Sequence, residues 1–89
     1  MEKKKYRLDF KGINTKEELH QLLKEELNFP DYYGANLDAL YDVLTDMNDI
    51  EIEIINFKYF QERNTRYANL LSELFKEIND NNLQIKINY

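Results

Sequence analysis

The 89-residue sequence has no cysteine, a single histidine and a single proline, and between Glu25 and Phe57 it has neither lysine nor arginine. Each absence excludes something. Without cysteine there is no disulfide framework and no thiolate metal site, a composition that fits a reducing compartment. With His20 as the only histidine, a metal site would have to be built from oxygen ligands. There is no glycine-rich phosphate loop and no serine in a nucleophile elbow. No apolar run approaches the roughly 20 residues that span a bilayer. The N-terminal stretch to Tyr6 is positively charged but has no apolar segment behind it, so no signal peptide is expected. A cytoplasmic protein is the expectation, without cofactor, metal or membrane partner.

What is present is enough for a small core. Apolar residues make up 43 % of the chain and aromatics 13 %, seven of them tyrosine, which argues against disorder despite a charged fraction of 33 %. Compact domains typically run to about 100–150 residues, so residues 1–89 are expected to form one domain. The net charge of −5 speaks against nucleic acid as a direct partner, because phosphate binding needs a basic footprint. The charge is also unevenly placed: nine carboxylates, from Glu25 to Glu53, lie in the stretch that has no cation. Such a field attracts basic partners and speeds their encounter.

Periodicity predicts the elements. Tyr6 to Phe10 alternates like a half-buried strand, and Gly12 breaks it. Thr15 and Glu18 have capping-box spacing, and Leu19, Leu22, Leu23 and Leu27 follow at helical intervals, predicting a helix over 16–27 that Pro30 ends. Asp31-Tyr32-Tyr33-Gly34 reads as a tight connection in which Gly34 is free to take a positive φ. Asn36 is a good N-cap for a second helix with Leu37, Leu40, Tyr41 and Leu44 as its apolar face. Ile50 to Ile55 is the second strand. A short helix through Phe57 and Phe60 comes next, then a fourth helix capped by Thr65 with Tyr67, Leu71, Leu74 and Ile78 inside. Leu83, Ile85, Ile87 and Tyr89 alternate as the last strand. Connections of this length imply crossovers, hence a parallel three-stranded sheet in an α/β domain, with right-handed crossovers expected.

Catalytic chemistry is thin. His20 sits beside Leu19 within the first helix, which suits a surface or partly buried residue better than a general base. Asp38 and Asp42 share a helix face at i, i+4 with Asp46 one turn further, a row that would suit a hard cation or simply a solvated face. As a helix surface it is poorly arranged: Asp42 repels Asp38, and no lysine or arginine stands at i±4 to relieve either. Local rules broken in this way often serve binding. Tyr32 and Tyr33 beside it would supply rigid contact area, or else pack under the connection as lids on the core.

From Lys24 to Thr45 the residues, including Pro30-Asp31-Tyr32-Tyr33-Gly34-Ala35-Asn36-Leu37-Asp38-Ala39-Leu40-Tyr41-Asp42, resemble the signature stretch of the barstar family, intracellular inhibitors of barnase-type ribonucleases. Phe29 replaces the family's Leu and Tyr41 its Trp. A weaker likeness covers the rest of the chain, including Leu19-His20-Gln21 and Phe75-Lys76-Glu77. The resemblance implies a two-layer α/β fold with three parallel strands and no enzymatic activity. It also implies a 1:1 complex with a basic ribonuclease by a protein that is monomeric when free. Carried over, the partner-binding surface falls on Tyr32, Asn36, Leu37, Asp38, Asp42, Thr45 and Glu77. Asp42 matches the aspartate that takes the place of a substrate phosphate. Asp46 and Met47 stand where the family's type has Gly and Trp, Val43 replaces a cysteine, and the loop from Asn48 to Glu51 lacks a proline. Asp46 therefore adds a charge at the rim of this surface, and a different basic nuclease toxin is the alternative partner.

Overall fold

The computed structural model describes residues 3–89. Strand β1 (Lys4–Asp9) leads to helices α1 (Lys16–Glu26) and α2 (Leu37–Thr45). Strand β2 (Ile50–Ile55) leads to helices α3 (Phe57–Arg63) and α4 (Thr65–Ile78), and strand β3 (Leu83–Ile87) closes the chain. The sheet is parallel in the order β1-β2-β3, with Leu8 opposite Ile54 and Ile52 opposite Ile85. The expected α/β architecture is therefore present, in two layers.

Alternation explains the layering. Ile50, Ile52 and Ile54 of β2 point with Leu8, Leu83 and Ile85 into the core, while Glu51 and Glu53 face the other way. On that open face Lys5 pairs with Glu51 at 3.8 Å and Arg7 with Glu53 at 3.4 Å, both well exposed. Such exposed pairs contribute little energy. Helix α4 buries Ala68, Leu71, Phe75 and Ile78 in the same core, and Phe10, Phe57 and Phe60 cluster there with ring centroids about 6 Å apart. No helix of the described residues is long and apolar enough to cross a membrane.

Five local expectations need correcting. Helix α1 ends at the expected place, Glu26 with Leu27 as its cap, but Pro30 is not what stops it. Asn28 adopts φ 57° just past the Leu27 cap and the Phe29 N–H donates to the Lys24 carbonyl at 2.9 Å, a left-handed termination that asparagine tolerates. Thr65 is not the cap of α4 but its first residue; Asn64 precedes it and its amide is used by the Asn14 and Phe60 carbonyls instead. In α2 the inner face is Leu40 and Leu44 with Val43 and Met47 packed behind; Tyr41 is 39 % exposed and Leu37 only half-buried. Tyr67 likewise lies at the margin of the core, with Ala68 and Phe75 inside, and Tyr89 falls beyond β3, edge-on to Phe57.

Candidate functional site

The approach to α2 is a built turn. The Tyr33 N–H donates to the Pro30 carbonyl at 3.0 Å, which throws Tyr32 to the tip, 86 % exposed, and folds Tyr33 inward against Phe29 with ring centroids 4.8 Å apart. The two tyrosines thus divide the alternatives left by the sequence: Tyr33 is the lid, Tyr32 the free aromatic.

Tyr33 is held by the histidine. His20, 2 % exposed, accepts or donates through Nδ1 to the Tyr33 hydroxyl at 2.6 Å and through Nε2 to the Tyr67 hydroxyl at 2.6 Å. Its burial goes beyond the surface or partly buried position expected for it. Burial of the ring lowers the His20 pKa, assisted by Lys16 and opposed by Glu17, and burial raises that of Tyr33 well above the usual phenol range. A neutral imidazole with one donor and one acceptor nitrogen satisfies both hydroxyls. The residue ties α1, the turn and α4 together. Its signal in the sequence is helical phase: His20 stands three residues before Leu23 and seven before Leu27, on the buried stripe of α1.

Gly34 does not use its conformational freedom; the positive φ belongs to Ala35, at 52°. A Cβ on Gly34 would meet the Ala39 Cβ and the Asn36 side chain at 3.4 Å, an ordinary van der Waals contact, so packing does not demand the glycine either. An alanine in the left-handed region costs roughly 1–2 kcal/mol with no side-chain hydrogen bond to offset it. Ala35→Gly should therefore raise the unfolding free energy by about 0.5–1 kcal/mol, the relief of strain exceeding the added flexibility of the unfolded chain. A denaturant titration showing a lower midpoint would contradict this.

Asn36 then caps α2, its Oδ1 accepting from the Ala39 N–H at 2.8 Å and its amide donating to the Gly34 carbonyl at 3.3 Å. Thr45, at the other end, bonds back to the Tyr41 and Asp42 carbonyls. Both side chains are exposed, but their local hydrogen bonds shape the helix ends.

Between them lie the carboxylates, and the fold separates what the sequence had grouped. Asp38 lines a groove of about 440 Å³ toward α1 together with Lys16, Glu17, His20 and Lys24. Asp42 and Asp46 line a smaller cleft of about 210 Å³ on the other side of Tyr33, against Pro30, Tyr32, Ala39 and Val43. No cation lines that second cleft, and no ion pair among the described residues involves α2. Asp46 is moreover the C-cap of its helix, where the macrodipole disfavours an anion, and α2 has no basic residue in its last turn. Glu77 is exposed on the last turn of α4 and lines neither hollow. No group of three or more metal-ligating side chains occurs among the described residues.

The family model described as Barstar (barnase inhibitor) matches residues 4–89. The chain belongs to the barstar family. It is 43 % identical over 72 residues to the Bacillus subtilis (strain 168) protein named "Putative ribonuclease inhibitor YrdF", an alignment covering 78 % of this chain and 75 % of that relative. In this member of the barstar family, the signature stretch from Lys24 to Thr45 forms the end of α1, the Tyr32 turn and α2.

Proposed function

We propose that the chain is an intracellular inhibitor of a barnase-type ribonuclease, binding it 1:1 through α2 and the turn from Pro30 to Gly34. Membership of a family described as barnase inhibitors supports the ribonuclease partner. The observation that carries the choice of surface is the second cleft, where Asp42 and Asp46 stand beside the exposed Tyr32 with no cation of the chain's own. A partner supplies what is missing. Asp42 enters the basic site where the enzyme would hold phosphate, its oxygens accepting charge-assisted hydrogen bonds from guanidinium or imidazolium groups. Asp38, Leu37, Asn36 and Thr45 extend the contact along the helix, Tyr32 covers one side, and Glu77 acts from the rim. RNA is excluded by occlusion; no bond is made or broken by the inhibitor.

The net charge of −5, with α2 and its flanks free of lysine and arginine, also predicts electrostatic capture. Between about 0.01 M and 0.5 M salt the association rate with the ribonuclease should fall on the order of ten-fold or more as the Debye length shrinks. Stopped-flow mixing with a barnase-type ribonuclease, alongside an RNA-cleavage assay, tests both parts. Undiminished cleavage at stoichiometric excess of the chain rejects the proposal, and a salt-independent rate rejects steering. A different basic nuclease as partner is favoured by one observation, the additional carboxylate of Asp46 in the cleft.

A further inference from the structure

Strand β3 forms one edge of the sheet, so half of its backbone groups face β2 and the rest face outward. The Ile50 N–H donates to the Asn82 carbonyl at 3.0 Å and the Asn88 N–H to the Ile54 carbonyl at 2.7 Å. Alternation therefore turns the N–H and C=O groups of Leu83, Ile85 and Ile87 outward, where a further strand would bond them. Leu83 and Ile85 are already occupied, and not by a strand. Asp80 holds Leu83: its N–H donates to the Leu83 carbonyl at 2.9 Å and its carboxylate accepts from the Leu83 N–H at 3.0 Å. Asn79, exposed just past α4, holds Ile85 through its side chain alone. Its Oδ1 accepts from the Ile85 N–H at 3.3 Å and its Nδ2 donates to the Ile85 carbonyl at 3.4 Å. A carboxamide offers an acceptor and a donor side by side, as a backbone peptide does, so Asn79 stands in for the missing strand. Its two bonds are longer than the ladder bonds on the inner side of β3, and the outward groups of Ile87 have no partner among the described residues. On the opposite edge β1 presents Lys5 and Arg7, and no side chain among the described residues plugs it in this way.

We propose that Asn79 is a plug on the β3 edge, and that without it this edge takes up a second copy of the chain, the two β3 strands pairing antiparallel about Ile87. Occupant and register follow from the residues. About Ile87, Ile85 comes opposite Tyr89 of the second copy and Lys86 opposite Asn88. Apolar groups then meet on the core side, and no like charges meet on the open face. A register about Lys86 would set the two lysines directly against each other. One about Ile85 would need the groups of Leu83, which Asp80 holds with a charge-assisted bond. The Ile87 register leaves Asp80 in place and asks only for Ile87 and for Ile85, whose bonds to Asn79 are the long ones. Each copy gives and receives the same bonds, so the assembly closes as a dimer.

Sedimentation of the intact chain at about 1 mM tests this, a concentration at which even a weak contact shows. The wild type should run as a monomer and Asn79→Ala as a species of about twice that mass. Asn81→Ala is the control, since the Asn81 side chain makes no hydrogen bond among the described residues, and it should stay monomeric. In the double variant Asn79→Ala/Ile87→Pro the mass should return to that of the monomer, because proline deletes an outward N–H that the monomer leaves unused. Circular dichroism establishes that each sample is folded. Amide exchange in the wild type gives a reading that needs no variant: the Ile85 N–H should exchange at least about ten-fold more slowly than the Ile87 N–H. A dimeric wild type, a folded but monomeric Asn79→Ala, or a dimer that persists in the double variant would each overturn the proposal. So would association of Asn81→Ala, or Ile85 and Ile87 amides that exchange alike.

Discussion

Asp42→Ala should raise the dissociation constant for the inhibited ribonuclease by the equivalent of about 2–5 kcal/mol, roughly thirty-fold to several thousand-fold. The size of the effect follows from position. Asp42 is mid-helix, in a hollow without any cation of its own, so the complex would bury it against the enzyme's basic groups. Truncation removes charge-assisted hydrogen bonds and leaves those groups desolvated and unpaired, and the second consequence is the larger. Asp9→Ala is the control. Asp9 carries the same charge but is occupied elsewhere, accepting from the Asn56 amide at 2.9 Å and the Lys11 N–H at 2.9 Å, hydrogen bonds that lower its pKa. Its loss should alter affinity by less than about three-fold, through net charge alone. Equal losses from the two variants, measured by titration calorimetry or competition, would reduce recognition to bulk charge.

His20→Ala is expected to be the most damaging single change to the approach to α2, lowering stability by about 2–3 kcal/mol and the melting temperature by about 10–20 °C. It removes a buried ring and both hydrogen bonds at once, releasing Tyr33 from α1 and Tyr67 from its partner. Looser tethering of the turn should weaken ribonuclease binding as well, although His20 itself is buried. The same residue gives stability a pH dependence. Burial holds the folded-state pKa below the ordinary 6.5, so the unfolded chain takes up the proton first. The stabilisation is complete above pH 6.5, declines as the pH falls from 6.5 toward the lowered value, and has no further slope from this group below it. Denaturant midpoints between pH 7.5 and the onset of carboxylate protonation should show the decline in the wild type. In His20→Gln that slope should vanish. A slope that survives the substitution would assign it to other groups.

Much of this was legible because it is periodic. The order of strands and helices, the Thr15 capping box, the Asn36 cap and the alternation of Ile50 to Ile55 each depend on residues within a few positions of one another. What the sequence could not disclose depends on distant partners. Helical phase sets Asp38 and Asp42 on one side of α2, but it carries no information that Lys16 and Lys24, on another helix, line the groove of the first while the second has none. His20 looked isolated because its partners lie 13 and 47 residues away. The adjacent tyrosines were ambiguous because a turn sends neighbouring side chains to opposite sides, and which one faces out is fixed by the Pro30–Tyr33 hydrogen bond. Ala35 was unreadable for a different reason: no local rule favours alanine at positive φ, so its conformation is imposed by the capped helix on one side and the anchored turn on the other.

That anchored turn has a kinetic meaning. A recognition loop that was slack in the free protein would surrender backbone entropy on docking, and its encounters would be unproductive until it ordered. Here the turn is closed by its own hydrogen bond, fastened through Tyr33 and joined directly to a capped helix, leaving chiefly the Tyr32 side chain to lose rotamers. Free and bound backbones should then differ by no more than about 1 Å, so nearly every correctly oriented collision can proceed. Substitutions within the contact would accordingly appear in the lifetime of the complex, and substitutions in the surrounding charge in how fast it forms.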